Sequence, residues 1–172
     1  TGLTDNDLAI ISLGPPGERV VTITRERMAS LRKILEQLAS SPPKGVVVQG
    51  SGEHMFTAGA DISLIQEVSD PEIGAALARE GQEVFDLLAK LDCTTVAVIS
   101  GACVGGGCEL ALACDYRVIS KSSGSLIGLP ETKLGIIPGF GGTQRLPRLV
   151  GLPQALSIIL AGRTLKPKQA YK

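Results

Sequence analysis

Three consecutive glycines, Gly105, Gly106 and Gly107, stand between an apolar β-branched run at 96–99 (VAVI) and a small apolar segment at 110–114 (LALAC). The order predicts a buried strand, a turn and a buried helix. Without a Cβ, the joining backbone takes unusual dihedrals and lets another molecule come close. A helix that starts at such a turn leaves its first N–H groups without intrahelical partners. The helix dipole adds partial positive charge at the same end. The site suits a phosphate, a carboxylate or a developing oxyanion. Glu109 follows the last glycine by two residues. A carboxylate one turn into an otherwise apolar helix costs free energy to bury unless it is paired or used.

The chain has 172 residues, enough for one domain with a sizeable core. Lys plus Arg number 17 and Asp plus Glu 17, so no basic field draws nucleic acid or anionic lipid. Trp is absent and aromatics make up 3%, which argues against stacking platforms for single-stranded nucleic acid. Cys93, Cys103, Cys108 and Cys114 match no zinc-ligand spacing and read as reduced, buried thiols. The single histidine, His54, has no metal partners in the pattern and reads as an exposed polar residue, so no metal site is expected. The polar start and the lack of a long apolar run predict a soluble intracellular protein without integral membrane association.

Along the chain, 8–13 (LAIISL) and 19–23 (RVVTI) read as strands joined by Gly14-Pro15-Pro16-Gly17 into a hairpin. Thr24 is a cap for a helix whose apolar stripe is Met28, Leu31, Ile34, Leu35 and Leu38, ended by Pro42 and Pro43. Residues 45–48 (GVVV) read as a strand buried on both faces. Residues 49–61 read as a loop, with Ala58, Gly59, Ala60 and Asp61 small enough to lie against a ligand or to pack tightly. Ser69 or Asp70 caps a second helix with Pro71 at its first position. Its buried face is Ile73, Leu77, Val84, Leu87, Leu88 and Leu91, and Gly81 permits close packing. Residues 116–119 read as a strand and 121–125 as a polar turn. Pro130 shapes a loop that presents Glu131. A second glycine-rich turn spans 138–143, Arg145 and Arg148 follow, 156–160 continues as a helix, and the chain stops inside a further helical turn that reads as a truncation.

From these residues alone three readings compete. A nucleotide-binding turn is disfavoured, because 101–107 does not spell G-x-G-x-x-G and no Gly-Lys-Ser/Thr follows. Purely structural glycines in a packed α/β core are the second reading. The third is an enzyme using Glu109 and Glu131 as an acid/base pair beside backbone donors.

The runs 58–62 (AGADI), 105–115 (GGGCELALACD), 129–131 (LPE) and 134–148 (LGIIPGFGGTQRLPR) resemble the crotonase (enoyl-CoA hydratase/isomerase) family. The details are most similar to the hydratase region of the multifunctional fatty-acid oxidation complex alpha subunits. The likeness implies an α/β spiral of ββα units over residues 1–172, without the C-terminal helices that cover the acyl pocket and form trimer contacts. It implies an enoyl-CoA hydratase of β-oxidation with a coenzyme A thioester as substrate and no separate cofactor. The alternatives are an enoyl-CoA isomerase and a non-catalytic acyl-CoA-binding or assembly fragment. The partners it implies are copies of the chain, as trimer or hexamer, or a fatty-acid oxidation complex, in bacterial cytoplasm or an organelle matrix. It further implies that the N–H groups of Ala60 and Gly106 hold the thioester oxygen, that Glu131 delivers a proton to C2, and that Glu109 activates water at C3. Ala58, Gly59, Asp61, Ile62, Gly105, Gly107, Pro130 and Gly139 are the implied substrate contacts. Arg25 and Arg27 are candidates for the coenzyme A phosphates by location only. The 139–143 turn is expected to pack under the site, with Arg145 and Arg148 making structural contacts near it.

Overall fold

In the computed structural model, residues 2–4, 7–52, 55–61, 68 and 70–171 are described. The expectations for His54, Ile62 and Ser69 concern residues outside them. The strands are β1 (Gly2–Leu3), β2 (Leu8–Ser12), β3 (Gly45–Gln49), β4 (Met55–Thr57), β5 (Thr94–Ile99), β6 (Ala102–Val104), β7 (Tyr116–Ile119), β8 (Leu126–Gly128) and β9 (Thr164–Leu165). The helices are α1 (Arg25–Ser40), α2 (Pro71–Ala89), α3 (Gly106–Ala113), α4 (Gly142–Val150), α5 (Leu152–Leu160) and α6 (Pro167–Ala170), with a 3-10 turn at Glu131–Leu134.

From β3 to β8, successive strands alternate between two sheets. One has the order β1-β2-β3-β5-β7 and the other β4-β6-β8-β9. All pairings are parallel except β1 with β2 and β8 with β9. The large sheet keeps one register, with Ile10, Val47, Val96 and Tyr116 side by side. Each turn of chain adds a strand to each sheet and then a helix, which is the spiral of ββα units expected.

The predicted hairpin does not form. β2 pairs with β3 in parallel, and of the segment 19–23 only Ile23 makes a bridge, to Ala60. After the Gly-Pro-Pro-Gly turn the chain leaves the large sheet and runs beside the end of β4. There the Val21 carbonyl accepts from Ala58 N (2.8 Å) and Thr57 Oγ1 (2.9 Å), and Ile23 N donates to Gly59 O (2.8 Å). A parallel sheet closes its ladder through helical crossovers, so β2 takes a partner beyond α1 rather than its neighbour in sequence.

Thr24 caps α1 by accepting from Arg27 N, and the stripe is in place, with Met28, Leu31 and Leu35 buried and Ile34 and Leu38 packed against the core. Asp70 caps α2, accepting from Glu72 N at 2.7 Å, with Pro71 in the first turn. Val84, Phe85 and Leu88 of α2 are buried, but Ile73, expected inside, is 49% exposed because the first turn of α2 stands at the rim of the site. Inside the region read as one loop at 49–61 lies β4. Both β4 and β6 are three residues long, too short to show an alternating pattern.

Helix α3 is buried along its whole length. Arg117 closes its far end, donating to the carbonyls of Ala111 (3.1 Å) and Cys114 (2.7 Å). Asp115 fixes the same end to β5, accepting from Thr95 N and Thr95 Oγ1 at 2.8 Å each. The thiols of Cys103, Cys108 and Cys114 are buried, and desolvation pushes each well up, Cys114 to about 12. They are protonated and unreactive at neutral pH. Leu152, Leu156 and Leu160 on α5 and Ile137 before α4 are exposed.

Gly107, expected at the substrate, instead packs α3 onto β4. A Cβ there would lie 2.3 Å from Thr57 Cγ2 and 2.9 Å from Thr57 O. Gly107→Ala is therefore expected to destabilise the fold by about 1–3 kcal/mol through overpacking. Urea unfolding of the variant against the parent chain measures it.

Candidate active site

The small sheet brings three loops together. Strands β4, β6 and β8 are parallel neighbours, so the residues that follow them emerge side by side at one edge. From β4 come Ala58, Gly59, Ala60 and Asp61. From β6 come Gly105 and then Gly106 at the start of α3. From β8 come Leu129, Pro130 and Glu131. Gly105 N donates to Gly128 O at 3.0 Å, tying the second loop to the third. All three loops open on one cavity of about 420 Å³.

Close approach explains the glycines here. Gly59 has φ +92°, and a Cβ on it would lie 2.8 Å from Val104 O and 3.1 Å from Gly106 N. Only glycine lets the first loop nest against the second. A Cβ on Gly106 would in turn sit 3.4 Å from Ala60 N. The two backbone nitrogens thus flank one spot on the cavity wall. Gly106 opens α3, so its N–H has no partner within the helix. No backbone hydrogen bond of the described turns and loops uses the N–H of Ala60 or Gly106 as donor.

Two carboxylates face the same cavity. Glu109 is 2% exposed and Glu131 7% exposed. Their surroundings differ. Glu109 Oε1 accepts from Phe140 N and Gly142 N, both at 2.8 Å. Both bonds end on one oxygen, so the second is left for chemistry. Burial pushes the Glu109 carboxyl up to about 7, raised further by Glu131 and held back by the Gly142 and Phe140 N–H groups. Neither oxygen of Glu131 has a hydrogen-bond partner among the described residues, and burial raises its pKa as well. Desolvation favours the neutral form of both carboxyls. One of the pair is fixed by two donors and ready to ionise. The other has no hydrogen-bond partner among the described residues and lies beside Gly105, whose Cβ would lie 3.4 Å from Glu131 Oε1.

Of the positions expected to contact substrate, Ala58, Gly59, Asp61, Gly105, Pro130 and Gly139 line the cavity, as do Ala60 and Gly106. Gly107 does not. Arg25 lines it, whereas Arg27 is turned away, donating to Thr22 O (2.8 Å) and paired with Glu18 (2.5 Å). Sequence reasoning missed the apolar wall: Leu77 and Ala78 from α2, with Leu134, Ile136, Ile137 and Phe140. The signal was present in Leu77, assigned to the core because helical periodicity does not distinguish a cavity from a packed interior. The 139–143 turn does pack under the site, and its N–H groups also bind Glu109. Arg145 makes the structural contact expected, to Phe140 O at 2.9 Å, while Arg148 stays on its own helix at Gln144 O. No group of three or more His, Cys, Asp or Glu able to hold a metal occurs among the described residues. No helix among them is long and apolar enough to cross a membrane.

Comparison with known proteins agrees with this geometry. A family model described as enoyl-CoA hydratase/isomerase matches residues 4–172. Proteins named fatty acid oxidation complex subunit alpha are similar throughout: 44% identity over 169 residues in Shewanella amazonensis and 43% over 170 in Aliivibrio fischeri, each covering 98% of this chain. The chain spans 24% and 25% of those relatives. A solved enoyl-CoA hydratase from Bacillus anthracis superposes with a TM-score of 0.86 at 34% identity, covering 95% of this chain and 62% of that one. One from Thermoplasma volcanium does so with a TM-score of 0.89 at 29% identity, covering 98% and 66%. Two parallel sheets wound as a spiral, glycine-shaped loops beside a buried glutamate pair, and a model match over almost the whole sequence have one meaning: the chain belongs to the enoyl-CoA hydratase/isomerase, or crotonase, family.

Proposed function

We propose that the chain hydrates 2-trans-enoyl-CoA thioesters to 3-hydroxyacyl-CoA, a step of fatty-acid β-oxidation. The observation that carries this reading is the pair of buried carboxyls, Glu109 and Glu131, facing one cavity beside the N–H groups of Ala60 and Gly106. The thioester oxygen is placed between those two donors. When C3 is attacked, electron density moves to that oxygen as an enolate, and preorganised N–H groups stabilise it.

The acid and base roles are those that the family resemblance implies. Glu109, ionised and held at Oε1, takes a proton from water through its other oxygen as the water oxygen bonds to C3. In its protonated form, which burial favours, Glu131 gives its proton to C2 as the enolate collapses. One water is added across the double bond, and a proton returned from Glu109 to Glu131 restores the pair. The apolar wall of Leu77, Ala78, Ile136 and Ile137 suits an acyl chain. Arg25 lines the cavity and is the basic residue of its described lining that is available to the coenzyme A portion. The names of the curated relatives support a place in a fatty-acid oxidation complex.

The test is loss of enoyl-thioester ultraviolet absorbance when crotonyl-CoA is mixed with the protein. Glu109→Gln and Glu131→Gln are each expected to lower turnover roughly 10²–10⁴-fold while the fold persists. A chain that tolerates Glu109→Gln but not Glu131→Gln, and shifts a 3-enoyl double bond to position 2, is an isomerase instead, since moving a double bond requires proton transfer but no activated water.

Burial of Glu109 also has a stability consequence. Its folded pKa of about 7 stands above the ordinary 4.5, so between those values the folded state binds more protons than the unfolded state, and stability falls as pH rises through the window. Glu109→Gln keeps an oxygen for both N–H donors and removes the buried charge. The variant is expected to be more stable than the parent by about 1–3 kcal/mol above pH 7, with the difference gone below pH 4.5. Denaturant unfolding at pH 8 and pH 4.5 checks the sign; an equal gap at both values would refute it.

A further inference from the structure

The turn that holds Glu109 is itself clasped from outside the cavity. Arg145 Nη1 donates to Phe140 O at 2.9 Å, and Arg145 Nη2 reaches Asp86 Oδ1 on α2 at 2.5 Å. Gln82, also on α2, donates through Nε2 to Gly139 O at 2.7 Å. The Phe140 ring lies over Gly81, where a Cβ would come within 2.3 Å of Cδ1, and meets Phe85 edge-on with centroids 5.6 Å apart. Arg145 fills the space left by Gly141, which has φ +107° and whose Cβ would lie 2.3 Å from Nη1. The Arg145 side chain is 17% exposed and Asp86 is 51% exposed, so the ion pair itself adds little stability. Its consequence is to hold the guanidinium against the Phe140 carbonyl.

We propose that Arg145 is a positioning residue for the Glu109 carboxylate: anchored to α2 through Asp86, it clamps Phe140 so that the N–H groups of Phe140 and Gly142 stay aimed at Oε1. The assignment of a catalytic consequence rests on Glu109 acting as the base of the proposed hydration. Other charged or titratable groups facing Glu109 are Glu131 and the Cys108 thiol, with Glu80, Arg25 and Asp61 around the cavity. Among these influences on Glu109, burial and Glu131 act upward, whereas the two N–H groups and the Arg145 charge act downward. Gln82 works along the same line. Gly139 C=O and Phe140 N–H are the two ends of one peptide group, so a donor on the carbonyl strengthens the N–H that Glu109 receives.

The test uses Arg145→Gln, Arg145→Lys and Gln82→Met in the full chain. The Glu109 carboxyl is followed by carbon-13 NMR titration, its signal assigned by loss in Glu109→Gln, and kcat and KM are measured with crotonyl-CoA. Arg145→Gln is expected to move the Glu109 titration to higher pH and to lower kcat at pH 7 roughly tenfold with KM little changed. Arg145→Lys, which keeps a charge and a donor, recovers part of both. If Arg145→Gln does not fold, Gln82→Met carries the test, because it removes a donor to the same turn from an exposed position and shifts the titration in the same direction. A folded variant of either residue whose Glu109 titration is unmoved, whatever its melting temperature, overturns the proposal. A parent chain inert toward enoyl thioesters that still shows the titration shifts sustains the positioning role and overturns the hydration reading alone.

Discussion

Parallel pairing of three very short strands, β4, β6 and β8, is the constraint on which the site depends. Each has three residues and little stability of its own. Because they are parallel and adjacent, their C-terminal ends share one edge, and the chain that follows each arrives at one place. Ala60 N, Gly106 N and Glu131 come from segments far apart in sequence and meet there without any long loop. What holds such short strands in register is the packing around them: Phe56, Cys103 and Leu129 are wholly buried, and Gly107 lets α3 lie directly on β4. The site is thus as rigid as the core beneath it, which is what preorganised donors require.

The two glutamates show how burial of similar degree yields different groups. Both lose most of their hydration. Glu109 is compensated by two backbone donors on one oxygen; Glu131 has no such partner among the described residues. Within one cavity the two carboxyls therefore sit in different surroundings. Two uncompensated, desolvated oxygens are a cost to folding, and the surrounding apolar core, with Leu110, Leu129 and Phe85 fully buried, offsets it.

Helix α2 links the apolar wall of the cavity to the turn that holds Glu109. Leu77 and Ala78 face the cavity, while Gly81, Gln82, Phe85 and Asp86 grip the turn that binds Glu109. One helix therefore both shapes the apolar wall and contacts the turn whose N–H groups bind Glu109.

Much was legible in the sequence. Capping and periodicity located α1 and α2, β-branched runs located β3 and β5, and the glycine triplet with Glu109 and the Pro130-Glu131 pair marked the site. These signals are local: each depends on neighbours within a turn or two of chain. The motifs at 58–62, 105–115 and 129–148 were enough to indicate the family. The tertiary structure decided the rest. The partner of 19–23 was not its sequence neighbour, because a parallel sheet pairs strands across a helix. Strands of two or three residues carry no periodic pattern and exist only through their pairing. That Gly107 serves packing while Gly106 faces the cavity, and that Phe140 and Gly142 hold Glu109 from more than 30 residues away, depends on which atoms lie within 3 Å in the folded chain. No spacing along the sequence encodes those distances, since they arise only when the turns of the spiral stack.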